Sequence, residues 1–160
     1  MKHTHSIDYE IVSHWKELPA PDQQLVEAAY RAAESAYAPY SNFSVGAALL
    51  LENDTILTGN NQENIAYPSG LCAERVALFY AGANYPGVAI NTLVVVAKGD
   101  LVGPEDCISP CGSCRQVMAE SEFRQEVPMR LILVAQNGKT FVFGSATDLL
   151  VFPFGMEKKV

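Results

Sequence analysis

The stretch NTLVVVAKG, residues 91–99, decides the fold. Between Asn91 and Lys98 it holds a dense run of β-branched and aliphatic side chains, without the alternation of apolar and polar residues that marks a half-exposed strand. Such a run is typical of a strand that is buried on both faces. We therefore expect this segment to lie at the centre of a sheet that is covered by helices.

Helices and strands are predicted upstream of this central strand. Residues 21–40 begin with proline and aspartate, two helix start signals, and repeat apolar residues at helical spacing. Residues 72–83 predict a second helix by the same periodicity. Between these helices, residues 43–53 and 55–60 predict two strands joined by a polar turn, which is a β-hairpin.

The segments downstream complete a mixed α/β pattern. Residues 112–122 predict a third helix, and residues 129–136 and 140–144 predict two strands around an Asn-Gly-Lys turn. Residues 145–155 indicate a short helix that ends at Pro153. This order of elements predicts a mixed sheet with helices packed on it.

Length and composition fit one domain over residues 1–160. A chain of 160 residues that is 49% hydrophobic and 18% charged is large enough to bury one continuous core. The opening segment SIDYEIV, residues 6–12, alternates apolar and polar side chains at strand period, which predicts an edge strand or an arm.

The charge balance excludes several classes of partner. Eleven basic against 18 acidic side chains give a net charge of −7, which repels nucleic acid and anionic membrane surfaces. No apolar run approaches the roughly 18 residues of a membrane span, and the polar start MKHTHSIDYE is unlike a secretory signal. We therefore expect a cytoplasmic protein with no membrane partner and no disulfides.

Cys111 and Cys114 raise a question of chemistry, because two thiols at this spacing face the same side of a helix start. A redox dithiol would be expected near the first strand of the domain, and plain buried cysteines are a second interpretation. A closed structural zinc site would need a second such pair or paired histidines. The three histidines all lie within the first 14 residues, where solvated side chains are the better interpretation.

Cys72 supplies the missing ligand for a different kind of site. It opens the second predicted helix, and Glu74 follows two positions later. Three protein ligands leave the fourth position of a zinc ion for water, which is typical of catalytic sites. Cys107 is the competing fourth ligand, which would close the site, although a small buried thiol is the commoner outcome.

Four separated blocks of sequence extend the pattern of the three cysteines: YSNFSVGAALL (40–50), TGNNQENIAYPSGLCAERVA (58–77), ISPCGSCRQVM (108–118) and DLLVFPFG (148–155). Within them, Cys-Ala-Glu followed downstream by Pro-Cys-Gly-Ser-Cys fits the zinc-deaminase pattern in its three-cysteine form. Through these blocks the chain resembles the small homotetrameric cytidine deaminases. The resemblance implies a three-layer α/β/α sandwich with a mixed central sheet of about five strands, and it leaves residues 1–20 as an N-terminal arm outside the shared core.

The resemblance also implies the activity and its central residues. The reaction would be zinc-dependent hydrolytic deamination of cytidine and deoxycytidine to uridine and deoxyuridine in pyrimidine salvage, with release of ammonia. Cys72, Cys111 and Cys114 match the ligands of one Zn²⁺ per chain, and Glu74 matches the glutamate that shuttles protons. Three thiolates overcompensate the charge of Zn²⁺, so we expect Arg75 to donate hydrogen bonds to a ligand sulfur, with Arg115 as the alternative donor.

Substrate-binding positions follow from the same resemblance. Phe43 matches an aromatic residue beside the pyrimidine, and Asn61 and Glu63 match the pair that hydrogen-bonds the ribose hydroxyls. The backbone amide of Ala73 would contact the base, and the carbonyl of Ser109 would receive the amino group.

Two further positions imply a shared active site. Tyr67 and Phe154 match residues that reach the active site of a neighbouring subunit, which implies a functional homotetramer.

Three rival functions remain at this point. A related deaminase could act on another amino-heterocycle, such as guanine or an aminopyrimidine nucleoside, although the Asn61 and Glu63 pair favours a nucleoside. A zinc-stabilised binding module would leave Glu74 without a purpose. Editing of single-stranded nucleic acid is disfavoured by the charge of −7.

Overall fold

The computed structural model describes residues 1–155 and contains one mixed sheet of six strands. The strands are β1 (Tyr9–Val12), β2 (Ser44–Leu51), β3 (Ile56–Asn60), β4 (Ile90–Lys98), β5 (Arg130–Val134) and β6 (Thr140–Phe143). Their order in the sheet is β1-β6-β5-β4-β2-β3. The β4–β5 pair is parallel, and the other neighbouring pairs are antiparallel.

Three α-helices cover the two faces of the sheet. Helix α1 (Ala20–Ala33) packs on one face, and α2 (Ala73–Asn84) and α3 (Gly112–Gln125) pack on the other. The predicted three-layer α/β/α sandwich is confirmed. The sheet has six strands rather than about five, because the N-terminal strand β1 extends it. The short helix expected after β6 is a 3-10 turn, Ala146–Leu149.

Strand β4 lies at the centre of the sheet, as its sequence predicts. It pairs with β2 on one side and with β5 on the other. Leu93 and Val95 face the core beneath α2 and α3, whereas Val94 and Val96 face the core beneath α1. All four side chains are buried, so the run without polar alternation reflects two buried faces.

A close approach of backbones sets the position of α2. A Cβ atom added to Gly59 on β3 would lie 2.6 Å from the carbonyl oxygen of Ala73 and 2.7 Å from the backbone nitrogen of Ala77. Any side chain at this position would push the start of α2 away from the sheet. Glycine therefore allows β3 to fix the helix start that follows Cys72.

The N-terminal segment joins the edge of the sheet. Strand β1 pairs with β6, and the ring of Tyr9 stacks on that of Phe143 with centroids 5.4 Å apart. The backbone N–H of Trp15 donates to the carbonyl of Gly138 at 2.9 Å. The assignment of residues 1–160 to one domain stays a prediction, and its last five residues lie outside the described part of the chain. Within residues 1–155, no helix has the length and apolar character needed to cross a membrane.

Candidate metal centre

Two helix starts bring three cysteine sulfurs together. Cys72 and Cys111 occupy the N-cap positions of α2 and α3, and Cys114 lies in the first turn of α3. The Sγ atom of Cys111 is 3.9 Å from that of Cys72 and 3.5 Å from that of Cys114. Neither N-cap side chain makes a capping hydrogen bond to its helix, so neither sulfur is committed to the helix backbone.

The three cysteines fit a zinc ion. Their sulfur atoms all lie within 4.8 Å of one another, and tetrahedral bonds of about 2.3 Å to zinc would separate sulfurs by about 3.8 Å. Thiolates are soft donors that suit this metal. The cluster therefore fits one Zn²⁺ per chain, with room for a fourth ligand that is not one of these cysteines.

Cys107 is not part of this group. Within residues 1–155, the grouped metal-ligating side chains are Cys72, Cys111 and Cys114 alone. Cys107 packs against the core beneath α2 and α3, and burial raises the pKa of its thiol. Its surroundings fit a structural buried thiol better than a fourth ligand.

The environment of the cluster favours thiolate at Cys72. Hydrogen bonding from the Cys114 thiol, assisted by Arg75, lowers the pKa of Cys72 to about 5 against the opposing effect of burial. The same contact raises the pKa of Cys114, because that thiol donates its proton to Cys72. Cysteine binds zinc as thiolate, so binding of a zinc ion would release the proton that the Cys72 and Cys114 sulfurs share.

Glu74 lies beside the sulfurs on the first turn of α2. Its side chain is buried, with 4% relative exposure, yet it lines the cavity that contains the cysteines. Burial raises the pKa of its carboxyl group to about 6. A carboxyl group with this pKa can both accept and return a proton near neutral pH.

Arg75 contacts the cluster from the adjacent position. Its Nη2 atom lies 3.8 Å from the sulfur of Cys72 and 3.4 Å from the carbonyl of Gly70. Its buried Nε atom has no hydrogen-bond partner within residues 1–155. The other candidate donor, Arg115, directs its guanidinium to oxygen atoms instead.

A cavity of about 640 Å³ opens above the cysteines. It brings together most of the positions expected from the sequence: Phe43, Asn61, Glu63, Tyr67, Cys72, Glu74, Arg75, Ser109 and Cys111. Ala73 is fully buried, and Phe154 lines a second cavity, together with residues of α3, with 85% of its surface exposed. The structure therefore separates Phe154 from the cavity of its own chain.

Hydrogen bonds to the backbone hold Asn61 and Glu63 in place. The side-chain amide of Asn61 accepts from the N–H of Val45 at 2.7 Å and donates to the carbonyl of Phe43 at 2.9 Å. The carboxylate of Glu63 accepts from the hydroxyl of Ser41, which lowers the pKa of Glu63. Both polar side chains therefore reach the cavity with restricted freedom.

Sequence reasoning missed the partners that fix this polar pair. Ser41 lies in the loop before β2 and holds the Glu63 carboxylate across 22 positions of sequence. Leu101, also on the cavity wall, comes from the loop after β4 and is 63% exposed. A serine in a polar loop and a leucine in a turn carry no periodic signal, so only the fold could place them.

Comparison with known proteins agrees with this geometry. Residues 19–130 match the family described as the cytidine and deoxycytidylate deaminase zinc-binding region. A cytidine deaminase of Sporosarcina psychrophila is 50% identical over 99 residues, which are 61% of this chain and 68% of that protein.

Solved structures share the fold. The crystal structure of cytidine deaminase from Burkholderia pseudomallei superimposes with a TM-score of 0.71 at 43% identity, covering 82% of this chain and 97% of that one. The enzyme from Mycobacterium tuberculosis gives a TM-score of 0.63 at 32% identity, covering 83% and 96%. With its family match over residues 19–130 and its three clustered cysteines, the chain belongs to the zinc-binding cytidine and deoxycytidylate deaminase family.

Proposed function

We propose that this protein catalyses the hydrolytic deamination of cytidine and deoxycytidine to uridine and deoxyuridine, with release of ammonia, as a step of pyrimidine salvage. The observation that carries the proposal is the buried Glu74 carboxyl group beside three clustered cysteines at a cavity large enough to admit a nucleoside. A purely structural zinc site would not need this carboxyl group. Family membership supports the reaction class.

The cysteines would hold the zinc ion. Cys72, Cys111 and Cys114 provide three thiolates from two helix starts, whose dipoles stabilise negative charge. Zinc bound there would supply Lewis-acid activation of water. Arg75 would withdraw charge from the sulfur of Cys72, because its guanidinium lies within weak hydrogen-bond distance of that atom.

Glu74 would move the protons. Its carboxylate would accept a proton from the attacking water and deliver one to N3 of the pyrimidine. Attack would form the C4–O bond first. Glu74 would then take the remaining proton of the new C4 hydroxyl group and pass it to the amino group, so that the C4–N bond breaks, the C4 carbonyl forms and ammonia leaves. One buried carboxyl group would therefore act first as a general base and then as a general acid.

The cavity wall would orient the nucleoside. Phe43 would lie against the pyrimidine, and Asn61 and Glu63 would hydrogen-bond the ribose hydroxyls. Asn61 and Glu63 can each form a further hydrogen bond beside those already described. An amide carries two N–H groups, and a carboxylate has about four lone-pair sites. The Ala73 N–H would contact the base, and the Ser109 carbonyl would accept a hydrogen bond from the amino group.

The functional unit would be a homotetramer with shared active sites. Tyr67 lines the cavity yet remains 75% exposed, and Phe154 is 85% exposed at a second cavity. Another copy of the chain would cover each of these exposed aromatic rings. We place this assembly in the cytoplasm, where four free cysteines are stable as thiols.

The direct test compares amino-group release from several substrates. Purified protein with measured zinc content is incubated separately with cytidine, deoxycytidine, cytosine and guanine, and ammonia is quantified. We expect turnover of the two nucleosides and little turnover of the free bases. A chain with one zinc ion and no turnover of any substrate would instead be a binding module.

A further inference from the structure

Arg115 and Gln116, the two residues after Cys114, form hydrogen bonds with the backbone of residues 149–154. Arg115 donates from Nη1 to the carbonyl of Leu149 at 2.9 Å, from Nε to the carbonyl of Pro110 at 2.8 Å, and from Nη2 to the hydroxyl of Ser109 at 2.7 Å. One guanidinium thus joins the loop before α3 to the last residue of the 3-10 turn.

Gln116 makes the second connection. Its Nε2 atom donates to the carbonyl of Phe154 at 2.6 Å, and its Oε1 atom accepts from the N–H of the same residue at 3.0 Å. The side-chain amide thus pairs with the Phe154 backbone as a neighbouring strand would. These bonds span 38 positions of sequence and fix the backbone that carries the Phe154 ring.

Burial does little to hold this segment. Phe152 and Phe154 are 94% and 85% exposed, and Phe152 has a left-handed backbone with φ of 59°. A bulky residue in that region is strained, so the surrounding contacts must maintain it. Arg115 and Gln116 provide three hydrogen bonds to the backbone of residues 149–154.

We propose that Arg115 and Gln116 form a clamp that ties residues 149–154 to the metal-binding helix start, so that each subunit positions its own Phe154 for the substrate site of a neighbour. The inference rests on the proposed function, in which Phe154 acts across the subunit boundary. Arg115 and Gln116 are positioning residues. Because both directly follow Cys114, a shift of the ligand helix in one subunit would be carried to the aromatic residue that serves the next.

The clamp predicts an effect on substrate binding that leaves the metal in place. Gln116→Met keeps the approximate length of the side chain but removes both hydrogen bonds. We expect KM for cytidine to rise about fivefold, as loss of ordinary hydrogen bonds allows, with kcat changed less than twofold. Zinc content should stay at one ion per chain.

Glu120→Ala is the matched control, because this exposed residue lies one turn further along α3 from Gln116. It should leave KM, kcat and zinc content unchanged. If Gln116→Met does not fold, Gln116→Asn serves instead, since its shorter amide cannot reach the Phe154 backbone. A folded Gln116 variant with wild-type KM would overturn the clamp.

Mixed oligomers test the direction of the effect. Gln116→Met chains are co-assembled with an excess of Glu74→Gln chains. Only the Gln116→Met chains then carry an active site with an intact Glu74. Their neighbours are mostly Glu74→Gln chains, whose clamp is intact and which supply Phe154 to those sites. We expect KM to return to the wild-type value. If KM stays raised, Gln116 acts on its own site and the proposal is wrong. A raised KM in the mixed oligomers would overturn the clamp but not the proposed function. Absence of nucleoside turnover in the wild-type protein would overturn the proposed function itself.

Discussion

The metal centre and the C-terminal segment 149–154 are built in opposite ways. Cys114 and Glu74 are buried against the core of one chain, whereas Phe152 and Phe154 expose almost their whole surface. The first region is complete within a single copy. The segment 149–154 is held by a few hydrogen bonds, and its aromatic rings are exposed on the surface. In the proposed homotetramer, the metal centre would therefore belong to each chain, whereas closure of the substrate site would require a second copy of the chain.

The strongest disruption of the first region is loss of a ligand. Cys114→Ser should lower zinc content below one ion per chain and remove nearly all deaminase activity, because the hydroxyl is a poorer donor for zinc than a thiolate. Metal analysis after dialysis, followed by the activity assay, measures both effects. Full zinc content with unchanged turnover would contradict the assignment.

Loss of the arginine beside the cluster should have a smaller effect. Arg75→Gln removes the guanidinium near the sulfur of Cys72, and outer-shell partners of metal ligands typically contribute about 10- to 100-fold to activity or affinity. We expect kcat to fall within that range while the thermal unfolding midpoint changes little. An unchanged kcat would show that the thiolate charge needs no compensation from Arg75.

The second region should respond in KM rather than in metal content. Phe154→Ala removes an exposed ring whose burial against substrate or a neighbouring subunit would stabilise the complex, so KM should rise about tenfold. Zinc per chain should not change. Wild-type KM in a variant of unchanged oligomeric state would separate Phe154 from the substrate site.

A substitution outside both regions should have the smallest effect on activity. Asp22 at the start of α1 forms two hydrogen bonds of 2.8 Å with Arg130 on β5. Asp22→Asn should lower the free energy of unfolding by about 2 kcal/mol, because Arg130 loses a charged partner. Denaturant titration measures this loss, and KM and kcat should remain at wild-type values. A change in KM would show that the two sites are coupled to the α1 side of the sheet.

Elements of the fold with a regular local pattern of apolar and polar residues could be predicted from the sequence. The run at residues 91–99 predicted the doubly buried strand β4. Given the predicted helix at residues 112–122, the spacing of Cys111 and Cys114 predicted two thiols on the same side of its start. Alternation in residues 6–12 indicated strand β1. It gave no information on the pairing partner β6, since pairing between distant segments leaves no trace in local periodicity.

The unpredictable part of the site depends on contacts across long sequence separations. The sequence indicated Arg115 as the alternative to Arg75 for donating a hydrogen bond to a ligand sulfur. Its guanidinium instead donates to oxygen atoms, one of them 34 positions away at Leu149. Resemblance placed Asn61 at the ribose, but it could not reveal that the amide also bonds the backbone of Val45 and Phe43. Such contacts depend on where the fold brings the chain, which spacing alone does not determine.

The most direct test of the account is the Glu74→Gln variant, with zinc and turnover measured on the same sample. The amide keeps the size of the side chain but cannot accept and return protons, so turnover of cytidine should fall by at least about 10²- to 10⁴-fold. Zinc should remain at one ion per chain, and the circular dichroism spectrum should match that of the wild type. Turnover close to the wild-type rate in zinc-loaded Glu74→Gln protein would contradict the central role of this carboxyl group.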